Sequence, residues 1–352
     1  MTRATLEDVA RAARVSVSTA SRALAGKGLA NRLTELKVRR AAAELGYRPN
    51  TLARGLKTRS SRLIGLVVHN LVNASFQTLV EVAQKRLLGE GYQVILCITG
   101  DDAEQEARTL EILADHRIDG LIIVPTGHNG ARLASLEASG VPVVCVVRRD
   151  EAADLEAVLA ADPEGAYAGT GYLLDLGHRR VGLVAGRQET TSGRERLSGY
   201  LRALNERGIP TDQTLVHVGP YDPETGVLAS RRFLDMENPP SALFVANHEA
   251  SFGVLRVLSE RRIAIPEQLS LLCYEDVPWF SWHRPAISVV DNGAPNIASL
   301  AVDRLLRRTA PGGPDEEEKR EFRVGARLVV RESCSPPAGA TKMPATEMTD
   351  AR

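Results

Sequence analysis

Two residues, Arg14 and Val15, are all that separate two short amphipathic stretches near the start of this chain. In the first, Leu6, Val9, Ala10 and Ala13 recur at i, i+3, i+4 and i+7, the period of one helical face. In the second, Ala20, Ala23 and Leu24 share a face, while Val17, Ser18, Ser21 and Arg22 occupy the other. Thr5 and Ser16 stand where a side-chain oxygen can cap each first turn. Two helices joined so tightly must cross at a steep angle, which is the geometry of a helix-turn-helix. The exposed face of the second helix is small, polar and basic, a shape and charge suited to a DNA major groove.

Charge separates this module from an ordinary small bundle. Residues 1–62 hold 14 Lys+Arg and 4 Asp+Glu, a net of +10, while the other 290 residues carry 30 bases and 40 acids, a net of −10. The zero net charge of the whole chain therefore hides a strongly dipolar molecule, and a basic module on an acidic body is the electrostatic footprint of nucleic-acid binding. Downstream, LGYRPNTLARGLKT (residues 45–58) sets Pro49 and Asn50 at the start of a short helix whose Leu52, Ala53 and Leu56 share a face. So short a helix, with Gly55 inside it, does not hold alone in water. Two readings stay open: a loose linker, or a hinge that folds on DNA with Leu56 wedged into a minor-groove step.

Residues 63–333 alternate strand and helix. Apolar runs such as Leu63–Val68, Val94–Ile98, Gly120–Val124, Val141–Val147, Ala157–Ala161, Val181–Ala185, Ala242–Ala246, Leu269–Cys273 and Ile287–Val290 are separated by helical segments. Unbroken apolar strands in repeated βα units mean parallel sheet covered on both faces. About ten strands exceed what one open sheet comfortably holds, so two sheets are expected. The last stretch, residues 334–352, is rich in Pro, Ala and Thr without apolar period and reads as a disordered tail.

A hydrophobic fraction of 43% with 25% charged residues is ordinary for a globular chain. No apolar run reaches the roughly 18 residues needed to span a bilayer, and the charged N-terminus is no secretory signal, so a cytoplasmic protein without membrane contact is expected. Cys97, Cys145, Cys273 and Cys334 are scattered, and seven histidines show no metal spacing, so neither metal nor cofactor is expected. Dinucleotide-binding, P-loop and nucleophile-elbow motifs are missing, and Glu275–Asp276 reads as a cap rather than a catalytic pair. The expectation is no enzyme.

TLEDVARAARVSVSTASRAL, ELGYRPNTLARGL and SRLIGLVV, in this order and spacing, resemble the lactose-repressor (LacI/GalR) family of transcription regulators. The resemblance runs through residue 333. It implies a helix-turn-helix headpiece (1–49), a hinge helix and linker (50–62) and a two-lobed, periplasmic-binding-protein-like α/β body (63–333) of two doubly wound parallel sheets. The first lobe would comprise about 63–160 plus 294–309, and the second about 161–290 plus 322–333. It further implies a homodimer on a near-palindromic double-stranded operator, acting as a repressor under a sugar-like small effector. The tail lacks the leucine heptads of the family's tetramers. By position, Leu6, Val17, Ser18, Ser21 and Arg22 match base-reading positions. Thr5, Ser16, Thr19, Asn31, Thr34 and Tyr47 match phosphate contacts, and Asn50, Ala53 and Leu56 the hinge. Arg14 stands where the turn usually has Gly, Gly55 where Ser is common, and Leu33 and Leu36 replace polar residues.

The resemblance also places effector contacts at strand ends: Asn73, Phe76, Arg148, Ser192, Arg196, Tyr221, Asn247, His248, Glu275 and Asp291. Val147, His248, Glu275 and Asp291 differ from the family's usual residues there. Arginine forks suit anions and carboxylates suit hydroxyls, which ranks a sugar acid or sugar phosphate slightly above a neutral sugar. Trp279 and Trp282 flank the expected cleft. Two rivals remain: a sugar receptor without DNA function, and a sugar-modifying enzyme fused to a DNA-binding module.

Overall fold

The computed structural model describes residues 4–24, 31–47, 60–310 and 320–337. The chain divides into two compact units, Met1–Arg62 and Leu63–Arg352. The expected hinge residues Asn50, Ala53 and Leu56, and the tail beyond residue 337, lie outside the described residues.

In the first unit, α1 (Leu6–Ala13), α2 (Val17–Leu24) and α3 (Arg32–Glu44) pack on a small core of Val9, Ala10, Ala20, Ala23, Val38, Ala41 and Ala42. Alanine dominates that core because three short helices must approach closely to bury anything at all. Thr5 starts α1 with a capping box: its hydroxyl accepts the Asp8 N–H at 3.3 Å, and its own N–H donates to Asp8 at 3.0 Å.

The second unit holds two six-stranded sheets. The first has the order β11-β5-β4-β3-β1-β2, built from β1 (Leu63–Val68), β2 (Gln93–Ile98), β3 (Gly120–Ile123), β4 (Val143–Val146), β5 (Glu156–Ala160) and β11 (Glu321–Val324). The second has the order β12-β10-β9-β8-β6-β7, built from β6 (Val181–Ala185), β7 (Val216–Val218), β8 (Ala242–Val245), β9 (Ser270–Tyr274), β10 (Ser288–Asp291) and β12 (Arg327–Val329). All pairs are parallel except β10 with β12. Around the first sheet lie α4 (Ala74–Gly89), α5 (Ala103–Asp115), α6 (Gly130–Ala138) and the returning α12 (Ala294–Thr309). Around the second lie α7 (Asp162–Asp175), α8 (Thr191–Glu206), α9 (Pro223–Leu234), α10 (His248–Glu260) and the short α11 (Pro278–Trp282). The central strands are buried throughout, and each fully buried Val, Leu or Ile contributes roughly 1.5–3 kcal/mol.

Two expectations are corrected. The segment 322–333 does not belong wholly to the second lobe. β11 pairs with β5 of the first sheet, and Phe322 and Val324 pack on the first core; only β12 joins the second. The chain returns to the first sheet through α12, so the first strand after it meets that sheet's free edge, and two residues later the chain crosses over. The tail also begins later than residue 334. The Cys334 thiol donates to Leu271 O, and the Ser335 N–H donates to Ser270 Oγ at 3.0 Å. Buried His178 sits 3.0 Å from Ser335 O, tying residues 334–335 to the second lobe.

Candidate functional site

In the headpiece, the exposed polar face belongs to α2. Ser16 Oγ accepts the Thr19 N–H at 3.2 Å and lies 2.9 Å from Ser18 Oγ and 2.8 Å from Thr19 Oγ1. That ring of hydroxyls starts the helix and leaves Val17, Ser18, Ser21 and Arg22 exposed, while Ala20 and Ala23 are buried. Arg22 Nε rests on Ser18 O at 3.3 Å, a contact that leaves its terminal fork open. Asn31 caps α3 by accepting the Leu33 N–H. Thr34 is half-buried, and Leu6 and Tyr47 are half-buried against the core. Arg14 adopts φ 56°, ψ 48°, the left-handed conformation that glycine accepts without strain, and its N–H reaches back to Ala10 and Arg11 carbonyls. Leu33 and Leu36 are exposed, and nothing among the described residues explains them.

In the body, the loops at the carboxyl ends of the strands gather polar groups. Caps put them there: Asn73, Thr190, Asp222 and Asn247 each accept an N–H from the first turn of α4, α8, α9 and α10. Two clusters result. In the first lobe, Arg148 Nη1 donates to Asp101 at 3.0 Å, and buried His69 lies 3.3 Å from the same carboxylate. Burial, and then the Arg148 charge, lower the His69 pKa to about 4 despite Asp101. Phe76 stands edge-on to its ring at 5.7 Å.

The second cluster is fully buried. Arg196 Nε donates to Asp162 at 3.1 Å and Nη1 to Ala246 O at 2.6 Å; its guanidinium lies 3.9 Å from Glu275 and stacks 4.0 Å from the Tyr274 ring centroid. Tyr274 donates its hydroxyl to Asp162 at 2.7 Å. Burial alone would lower the Arg196 pKa, but Asp162, the two tyrosines and Glu275 hold it well above its ordinary value. Glu275 accepts from Asn247 Nδ2 at 3.1 Å and makes a short contact with His248 Nδ1. Burial raises its carboxyl, but His248 and then Arg196 outweigh that and hold it below the usual range. Tyr221 lies against Gly186, where any Cβ would collide with its ring, and its hydroxyl is buried without a partner among the described residues.

The lobes meet directly. Asn73 Nδ2 donates to Glu249 at 2.8 Å, and the Ala74 N–H donates to His248 Nε2 at 3.3 Å. Elsewhere Arg323 of β11 makes a two-pronged pair with Glu195, 2.6 Å on each side.

The structure thus brings together Arg196, Tyr221, Asn247, His248 and Glu275 in one cluster, with Asn73 bridging from the first lobe. Arg148 and Phe76 converge on His69. Ser192 is buried at the first turn of α8. Asp291 stands apart, accepting the Gly293 N–H and facing Arg327. Trp279 stacks on Phe252 at 5.5 Å with its Nε1 buried and unpartnered among the described residues, whereas Trp282 is exposed. Sequence reasoning missed Asp101, Asp162, Glu249 and Tyr274. Asp162 stands directly before Pro163, an ordinary place for an Asp at a helix start, and no local signal marks its partner in α8.

Residues 5–50 match the bacterial regulatory proteins of the lacI family, and residues 170–334 match the periplasmic binding protein-like domain. The HTH-type transcriptional repressor PurR of Vibrio atlanticus (strain LGP32) is 30% identical over 329 residues, 93% of this chain and 98% of that protein. PurR of Haemophilus influenzae (strain PittEE) is 28% identical over 94% of this chain and 98% of its own length. Among solved structures, the lac repressor dimer bound to operator and the anti-inducer ONPF superposes with a TM-score of 0.81 at 25% identity, covering 95% of this chain and all of that one. The transcriptional regulator CelR–cellobiose complex superposes with a TM-score of 0.67 at 28% identity, covering 94% of this chain and all of that one.

Proposed function

The chain belongs to the lacI family of bacterial regulatory proteins, and from that premise we propose that its effector is an uncharged, hydroxyl-bearing molecule of sugar type held where the two lobes meet. The protein is a sequence-specific DNA-binding transcription regulator of the LacI type under control of a small molecule. In this reading it acts as a cytoplasmic homodimer on a near-palindromic operator and carries no catalytic activity. No helix among the described residues is long and apolar enough to cross a membrane.

The observation that carries the effector class is the state of the two cleft arginines. Both are engaged by the protein's own carboxylates, Arg148 by Asp101 and Arg196 by Asp162. With Glu249 and Glu275 nearby, and Arg187 at 4.0 Å from Asp101, an incoming anion faces four carboxylates and three guanidiniums, an excess of negative charge that reverses the anionic ranking drawn from residue types. The buried Tyr221 hydroxyl and Trp279 Nε1, unpartnered among the described residues, offer hydrogen bonds that a hydroxylated ligand completes. Calorimetry with matched neutral sugars, sugar acids and sugar phosphates tests this. A neutral sugar should bind best, and Tyr221→Phe should weaken it by about 1 kcal/mol. Preference for a sugar phosphate would refute the charge argument, and preference for a neutral nucleobase would refute the sugar assignment alone.

On DNA, Val17, Ser18, Ser21 and Arg22 of α2, with Leu6 of α1, read bases in this proposal, and the caps Thr5, Ser16 and Asn31 sit among the phosphate contacts with Thr19, Thr34 and Tyr47. Arg22→Ala should relax preference at one symmetric operator position by about 1–3 kcal/mol in a binding-site selection. A uniform loss on all sequences would make Arg22 a phosphate contact instead.

A further inference from the structure

One ring links the two lobes. His248 opens α10 and is fully buried, with Phe252 of its own helix and Trp279 of α11 at ring-centroid distances of 6.5 and 5.8 Å. Its two nitrogens serve different lobes. Nδ1 meets Glu275 Oε2, the oxygen that also accepts from Asn247 Nδ2. A carboxylate only accepts, so Nδ1 carries the hydrogen. Nε2 therefore keeps a lone pair, and the Ala74 N–H of the first lobe donates to it at 3.3 Å. Ala74 is the first residue of α4, where a backbone N–H has no partner within the helix. Its methyl group is buried among core residues of the second lobe. Lobes that meet in this way require one tautomer of a neutral ring.

The acids around the ring favour the opposite state. Glu275 touches it, and Glu249, the next residue along the chain, is close enough to act on it. Both carboxylates favour an imidazolium. Arg196, 3.9 Å from Glu275, opposes one, and so do the positive ends of α4 and α10. The first lobe presents the uncharged Ala74 and Asn73, and Asn73 Nδ2 occupies Glu249 at 2.8 Å. Parting the lobes takes the Ala74 N–H from Nε2 and Asn73 from Glu249 together. Both changes favour a proton on the ring. In closed lobes that proton sets two N–H donors against each other in a buried contact, leaving both unsatisfied. On the reading that the effector is held where the lobes meet, we propose that His248 is a positioning residue that makes closure proton-gated. The lobes close on the neutral ring and part when it is protonated, so acid opens the effector site.

The test uses the full chain without ligand, so its failure leaves the neutral-sugar assignment standing. Nitrogen-15 spectra should show the His248 ring, identified by its absence in His248→Gln, protonated on Nδ1 and bare on Nε2 at alkaline pH. Hydrogen exchange at the Ala74 amide, corrected for the intrinsic effect of pH, reports the closed fraction. Its protection should fall about tenfold or more from about pH 8 to about pH 5.5, while the Leu121 amide, bonded to Pro142 O in the first sheet, stays protected. His69 remains neutral over that window. His248→Gln supplies an uncharged carbonyl oxygen long enough to reach Ala74, and its protection should persist without varying with pH. If that variant does not fold, the wild-type spectra, assigned through the Trp279 contact, and the wild-type exchange profile decide. A ring protonated on Nε2 at alkaline pH overturns the proposal. So does Ala74 protection that is flat with pH in the wild type, or a pH response that survives in His248→Gln.

Discussion

The two lobes share a strand order but not a chemistry. Read across the sheets, β1, β2, β3, β4, β5 and β11 occupy the same places as β6, β7, β8, β9, β10 and β12. Even a backbone oddity is repeated: the residue after the fourth strand of each set is left-handed, Val147 at φ 66° and Glu275 at φ 72°. In the second lobe that bend serves a buried carboxylate bonded to Asn247 and His248. In the first it holds a β-branched valine, and the polar work passes to the next residue, Arg148. A fold copied twice therefore fixes where side chains converge, while the residues chosen there decide which lobe carries the buried charge.

The largest expected effect separates the two arginine pairs. Asp162→Ala leaves buried Arg196 with only the more distant Glu275, at 3.9 Å, and also strips Tyr274 of its acceptor, so it should cost about 3–5 kcal/mol in a urea unfolding titration. Asp101→Ala removes a carboxylate that is itself 28% exposed beside an Arg148 that is 11% exposed, so it should cost less, about 1–3 kcal/mol. Equal costs would erase the distinction between a fully buried and a partly solvated cluster.

Next in size is the response to acid. The unfolded chain protonates its histidines below about pH 6.5, whereas the folded first lobe keeps His69 neutral down to about 4. Stability is complete above that window and declines as pH falls through it, by up to roughly 3 kcal/mol from this group. His178 and His217 of the second lobe are also depressed by burial and add to the same slope. Thermal melts of His69→Gln should show a flatter dependence between pH 6.5 and 4, and an unchanged slope would place the effect entirely in the second lobe.

The smallest effect tests the repeated bend. Val147→Gly relieves left-handed strain in a β-branched residue but loses a side chain half-buried against the first core and frees the unfolded chain, so the terms should nearly cancel, to within about 1 kcal/mol. Glu275→Gly relieves the same strain but deprives buried His248 and Asn247 of their acceptor, so it should destabilise by more. Equally small changes in both variants would mean that Glu275 is a passive bend.

The sequence by itself determined the helix-turn-helix, because its caps, its helical period and its two-residue link are all local, and α1 and α2 form as those signals require. It determined the α/β body too, since unbroken apolar strands alternating with helices admit little else. Family positions also pointed to Arg196, Asn247, His248 and Glu275, which the fold brings into one buried cluster. What the arginines are doing only the tertiary structure decided. Arg196 meets Asp162 across 34 positions, and Tyr274 meets the same carboxylate across 112. Whether an arginine reaches for a ligand or for its own protein depends on which carboxylate the packing brings within about 3 Å, and no local pattern encodes that. The division of β11 and β12 between the sheets has the same origin. Both are short strands that mix charged and apolar residues, EFRV and RLV, and the free sheet edge that each one meets assigns its lobe.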